Sequence, residues 1–232
     1  MAAVVDDDTD DHLDADLDRV LVGGREPREI VLAEPDPARP ARYEQHRAVL
    51  GAALAGWARR IDHVGSTAVP GLAANPVVDV HVTVADPEDE ALVPLLEGAG
   101  DEPRVREPGH RLFRTPERTV HVHLWRAGSS DERRHVLFRD WLRRHEGDRR
   151  RYEATKRRLA ARRWRDTNDD AEAKGPVIAA IMERAERWAA REGWRLPSRG
   201  TEALTAPPTG LRWACAGPRA CGGPPGASAP GW

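Results

Sequence analysis

Apolar and polar residues alternate most sharply in the middle of the chain. Over residues 77–84 the sequence VVDVHVTV puts Val78, Val80, Val82 and Val84 on one face of a strand. Val77, Asp79, His81 and Thr83 fall on the other. The all-valine face requires a layer of helices over it. The opposite face carries Asp79 and His81 in mid-strand, where a purely structural role would favour more valine. Residues 119–125 alternate in the same way, Val120, Val122 and Leu124 against His121, His123 and Trp125. Shorter strands are expected at 29–33, 61–64, 104–106 and 111–114.

Helical spacing fills the rest. Residues 38–60 form a helix whose buried stripe is Tyr43, Leu50, Leu54 and Trp57. Asp86-Pro87-Glu88 reads as a capped helix start. The helix after it carries Leu92, Val93, Leu95 and Leu96, and Pro94 keeps it short or irregular. Ser129 with Glu132 is a capping-box pattern opening a helix to His145. Further helices are expected at 148–163 and 170–191, the last bent at Gly175-Pro176 and ended by Gly193. Val177, Ile178, Ile181, Met182, Ala185 and Trp188 form its apolar face. Hairpin-joined strands with one helical crossover make this an α/β chain with a small mixed sheet, backed by helices and followed by C-terminal helices.

Composition sets the limits of the folded unit. The first 18 residues hold eight aspartates, and 14 of the 36 residues from Pro197 onward are Gly or Pro. A disordered acidic tail is therefore expected over 1–27, one folded domain over 28–195, and a disordered Pro/Gly-rich tail over 196–232. The formal net charge is -2, but residues 130–165 hold 14 Lys/Arg against 6 Asp/Glu. Those arginines alternate with acids and have few aromatics among them, so nucleic-acid binding ranks last among the functions considered. No apolar run approaches the ~20 residues of a membrane span. The N-terminus shows no apolar secretory core. A soluble cytoplasmic protein without a membrane partner is expected. Cys215 and Cys221 both lie in the C-terminal tail, so the core needs neither a disulfide nor a thiolate metal site.

The stretch HVGSTAVPGLAANPVVDV over residues 63–80 resembles the signature of the GrpB family, also called UPF0157, a branch of the nucleotidyltransferase superfamily. VHVHLW (120–125), LFRDWLRRH (137–145), YEATKRRLA (152–160) and AEAK (171–174) extend the resemblance to about residues 28–190. It implies the nucleotidyltransferase core. It also implies that Gly65, Ser66 and Thr67 hold the phosphate of a nucleotide or another phosphorylated small molecule. Asp79 matches the first metal-binding carboxylate of that superfamily. His81 stands where the second is expected, and His121 or His123 stands near the third. Catalytic roles in nucleotidyl or phosphoryl transfer would then fall to Asp79, His81 and His123.

Imidazole changes the metal that such a site would hold. Mg²⁺ prefers oxygen ligands, whereas three histidines and an aspartate suit Zn²⁺, Mn²⁺ or Fe²⁺. If the two histidine-bearing strands pair with their polar faces aligned, Asp79, His81, His121 and His123 meet in one patch. The same patch also suits a hydrogen-bonded pocket that holds an anion without metal. Arg111 and its neighbours His110 and Arg114 are candidate anion binders beside this face. Arg139, Arg143, Lys156 and Lys174 are candidates from the helical side, and Lys156 and Lys174 are the chain's two lysines. Two functions follow from the resemblance. One is a metal-assisted transferase; the other is a non-catalytic accessory module for a ligand related to coenzyme A. The chain has no Gly-x-x-x-x-Gly-Lys-Ser/Thr loop, so kinase chemistry of that type is excluded.

Overall fold

The computed structural model describes residues 19–24, 31–162 and 173–197. Most of the two expected tails, and Glu29–Ile30 of the expected first strand, lie outside the described residues. Ala33, from the same expected strand, makes a single antiparallel bridge to Ala74.

Helix α1 (Arg39–Ala53) leads into strand β1 (Arg60–Val64), a single 3₁₀ turn (Ser66–Ala68) and strand β2 (Val78–Val84). Helix α2 (Leu92–Gly98), strand β3 (Glu102–Glu107), strand β4 (His110–Arg114) and strand β5 (Val120–Arg126) follow. Helices α3 (Ser130–Arg144), α4 (Glu146–Ala160) and α5 (Gly175–Glu192) complete the described chain. The strands form one mixed sheet in the order β1-β2-β5-β4-β3. β2 and β5 run parallel, and the remaining neighbours run antiparallel. The mixed α/β architecture is the one the hydrophobic pattern predicts.

The valine face is the dry one. Val78, Val80, Val82 and Val84 pack with Val120, Val122, Leu124 and Phe113 beneath Tyr43, Leu50 and Leu54 of the α1 region and Leu92 and Leu96 of α2. A second core joins the loop residues Val69 and Leu72 to Leu137, Trp141 and Leu142 of α3, Tyr152 of α4 and Ile181, Ala185 and Ala189 of α5. Helix α3 lies over part of the polar face of the sheet. Its Ser129 cap accepts a hydrogen bond from the Glu132 N–H at 3.2 Å. The Glu132 carboxylate reaches back to Gly128 N–H and to Thr83 and Arg60 on the sheet.

Three expected boundaries shift, each for a local reason. α1 stops at Ala53 instead of 60. Gly56 turns the chain at φ 84, because Arg60 must pair with Thr83. Trp57, placed in the buried stripe, is consequently 38 % exposed. The Asp86 cap forms only a local turn, bonding the Glu88 N–H at 3.1 Å, and α2 begins at Leu92 with Pro94 in its first turn. Residues 19–24, assigned to the acidic tail, lie against β3: Leu21 bridges Val105, and the Arg104 guanidinium bonds the carbonyls of Val22 and Gly24.

Candidate functional site

The parallel register of β2 and β5 assembles the polar face. Asp79 lies opposite His121 and His81 opposite His123. On the far side of β5, Arg114, Leu112 and His110 of β4 lie opposite His121, His123 and Trp125. Cross-strand partners share a face, so an aspartate, a histidine row and Arg114 occupy one surface.

Asp79 is the centre of that surface. Its Oδ1 is 3.8 Å from His121 Nδ1 and 3.8 Å from His123 Nε2. Among the described residues, these three side chains place one ligand atom each within 4.8 Å of one another, all three half-buried. Burial works to raise the Asp79 carboxyl. His123, with the charges of His121 and His63, outweighs burial and holds it below the usual carboxylate range. The expected Gly65 turn lies directly against it. Gly65 adopts φ 68 and ψ -171, and a Cβ there would sit 2.2 Å from Asp79 Oδ2. Ser66 and Thr67 follow in the 3₁₀ turn, with Thr67 Oγ1 hydrogen-bonded to His63 Nε2 at 3.0 Å. His63 stacks on Tyr43. Burial, reinforced by Arg143 and Arg139 and opposed by Asp79, pushes its pKa down to about 4.

His81 does not join the triad. It shares the face but is fully buried, edge-on to Trp125 and His135. Among the described residues, neither of its ring nitrogens has a hydrogen-bond partner. Burial, with His135 and His123 adding to it, takes its pKa down to about 2. It is a neutral core imidazole, and His135 of α3 is the lid that seals it. Helical spacing from Glu132 through His135 and Val136 to Arg139 would have revealed that lid.

The cations divide between faces. Arg111, expected beside the site, sits on the valine side opposite Leu124. There it bonds the Glu88 carbonyl and the Glu90 carboxylate and lines a cavity of about 330 Å³ with Val22, Val105 and Phe113. Arg114 is the β4 arginine on the site's face. Arg139 clamps α3 to β1 through Asp62, the His63 carbonyl and its neighbour Asp140. Arg143 donates to the Ala68 carbonyl at 2.9 Å, at the end of the glycine-serine turn. Lys156 is buried, donates to the Ala73 carbonyl, and lies over the Tyr152 ring. Burial first, then the charge of Lys174, lowers its pKa to about 7. Lys174 is the residue before α5.

His110, expected as an anion binder beside this face, instead partners His123 and Glu107. It is buried, stacked on Trp125 with ring centroids 4.1 Å apart, and hydrogen-bonded from Nε2 to His123 Nδ1 at 3.1 Å. Its Nδ1 bonds the Glu107 carboxylate across the β3–β4 hairpin. Pairing of His110 with Glu107 requires the hairpin register, which sequence alternation alone does not supply.

Residues 29–184 match the GrpB protein family. A UPF0157 protein of Streptomyces coelicolor is 47 % identical over 166 residues, covering 71 % of this chain and 89 % of that protein. The crystal structure of the conserved protein GrpB from Enterococcus faecalis superposes with a TM-score of 0.56 at 29 % identity, covering 71 % of this chain and 100 % of that one. A protein of Mycolicibacterium paratuberculosis named dephospho-CoA kinase is 31 % identical over 197 residues; the alignment takes in 72 % of this chain and 48 % of that protein. No helix among the described residues is long and apolar enough to cross a membrane. By the family match and these relatives, the chain belongs to the GrpB family (UPF0157), whose fold is consistent with membership of the nucleotidyltransferase superfamily.

Proposed function

We propose that the protein binds a nucleotide or another phosphorylated small molecule through a divalent cation held by Asp79, His121 and His123. The observation that carries this reading is the convergence of one carboxylate oxygen and two imidazole nitrogens beside the Gly65–Thr67 turn. Two magnesium ions held by carboxylates do not fit, because two of the three donors are nitrogen. One ion of a type that accepts mixed N/O ligands fits the donor set. Bound there, such an ion would position a phosphoryl oxygen and stabilise developing charge. The chain's own residues set the rest. Gly65 allows backbone and carboxylate to approach closely, and Arg114 and Arg143 lend positive charge to the ligand's phosphate.

Without a cation, Asp79 opposes phosphate. At about 4 Å and an effective dielectric of 20 the repulsion is on the order of 4 kcal/mol. Binding should therefore depend on metal in the wild type. Asp79→Asn should abolish that dependence and weaken binding in the presence of metal. Titration of a nucleotide panel with Mn²⁺, Zn²⁺ or Mg²⁺, into wild type and variant, reads both effects. Metal-independent binding that improves in Asp79→Asn would overturn the proposal in favour of a non-catalytic module. The relative named dephospho-CoA kinase favours coenzyme A as the ligand of such a module, so coenzyme A belongs in the same panel. No binding by the wild type under any condition would remove both readings.

A further inference from the structure

We infer that Glu107 and His110 form a positioning relay that fixes His123 with the Nε2 lone pair toward Asp79. The relay selects a borderline divalent ion such as Zn²⁺ or Co²⁺ over Mg²⁺. This inference rests on the metal reading above and names the device that orients one ligand of that site.

The tautomers follow in order along the chain of contacts. An ionised carboxylate only accepts, so Glu107 takes a hydrogen bond from the N–H at His110 Nδ1. A neutral His110 then offers a lone pair at Nε2. His123 Nδ1, 3.1 Å away, donates to it. His123 Nε2 is left without a hydrogen. It faces Asp79 Oδ1 at 3.8 Å, too far for a hydrogen bond. His121 Nδ1 faces the same oxygen at the same distance.

An imidazole lone pair and a carboxylate oxygen that face each other repel unless a cation lies between them. Ligand bonds of about 2.0–2.2 Å around zinc span roughly 3.4 Å at a tetrahedral angle and about 4.2 Å when opposed. The 3.8 Å separations fall inside that range. Mg²⁺ gains little from two nitrogen donors and needs an octahedral oxygen set. The fixed elements of the relay make it rigid. His110 is buried and stacked on Trp125, 15° from parallel. Glu107 lies opposite it across the hairpin. A metal-bound histidine whose other nitrogen bonds to an oriented acceptor is a stronger and better-aimed ligand.

The test uses metal alone on the chelator-stripped full chain. Affinity is read by competition with a chromophoric zinc chelator, and coordination by the visible absorption of the Co²⁺ form. Wild type should bind Zn²⁺ and Co²⁺ and leave Mg²⁺ far weaker. His110→Leu should lose about 10–100-fold in affinity. His110→Gln should recover most of it, because its amide oxygen accepts from His123 while its NH₂ donates to Glu107. Glu107→Ala should fall between wild type and His110→Leu and shift the Co²⁺ absorption. If His110→Leu fails to fold, Glu107→Ala and His110→Gln carry the comparison, since the Glu107 side chain is 41 % exposed. Equal affinity and an unchanged Co²⁺ spectrum in all variants would overturn the relay and leave the metal site standing. So would an equal loss in His110→Leu and His110→Gln. A wild type with no affinity for Zn²⁺ or Co²⁺ would overturn both. A wild type that takes Mg²⁺ as well as Zn²⁺ would overturn the selectivity.

Discussion

Replacing Gly65 by alanine tests whether the turn and Asp79 are built as one unit. At φ 68 and ψ -171 the residue occupies a region that is essentially glycine-only, and a side chain there costs about 1–3 kcal/mol. The added Cβ would also meet Asp79 Oδ2 at 2.2 Å and Asp79 Cγ at 3.0 Å. Asp79 must then move from its place beside His121 and His123, or the turn must open. Together the two effects should cost about 2–4 kcal/mol. For a folded unit of this size that lowers Tm by roughly 5–15 °C. Urea unfolding of wild type, Gly65→Ala, Asp79→Ala and the double variant measures the total and separates its parts. Asp79→Ala removes the collision but not the backbone strain, so the cycle should show a coupling of about 1 kcal/mol or more. A Gly65→Ala variant within 0.5 kcal/mol of wild type would refute the backbone argument. An additive cycle would refute the contact.

Two further outcomes concern buried polar groups. His63 and His81 have folded pKa values of about 4 and about 2, below the ordinary 6.5, so the unfolded chain binds more protons between those values. Their stability is fully present above pH ~6.5 and falls as pH drops, by about 1.4 kcal/mol per unit for each group, with His63 levelling off near its folded value. Urea midpoints from pH 7 to 5 should show that slope. His81→Leu should remove one group's share of it, since burial also lowers His110 and His135, and stay within about 1 kcal/mol of wild type at pH 7, since neither His81 nitrogen has a partner among the described residues; a loss above 3 kcal/mol would refute this. Asp148 is fully buried and accepts from Trp141 Nε1 at 2.8 Å and from Arg184 at 2.7 and 2.8 Å. Asp148→Ala should cost about 3 kcal/mol in denaturant unfolding by leaving both donors unpaired; a cost below 1 kcal/mol would show that the network is dispensable.

Which of these groups the sequence reveals depends on how far its physics reaches along the chain. Alternation is local, so the faces of 77–84 and 119–125 are legible, and with them the placing of Asp79, His121 and His123 on one surface. The parallel register that puts Asp79 opposite His121 is a tertiary fact, but two polar faces seeking one solvent-accessible side already imply it. The same rule, applied to HRLFR, would have placed Arg111 correctly. Arg111 lies two residues from buried Phe113 and must share its face, while Arg114 takes the other. Arginine's suitability for binding phosphate points to the polar face, but the alternation of the strand overrides it. Arg111 avoids the full cost by reaching the Glu88 carbonyl and Glu90 at the sheet edge.

His81 shows the opposite limit. Its position on the polar face was legible, yet its burial depends on Trp125 from β5 and His135 from α3, two elements remote in sequence. A face can be polar by composition and still be divided by whatever packs on it. Here α3 covers the Thr83 end and seals His81, and the end bearing Asp79, His121 and His123 stays half-exposed. That division explains why a chain with histidine at an expected carboxylate position can still hold a compact donor set. The histidine at the second position is withdrawn into the core, and those on β5 take over as partners of Asp79. The chemistry open to this protein is therefore set less by how many histidines lie on the face than by where α3 stops covering it.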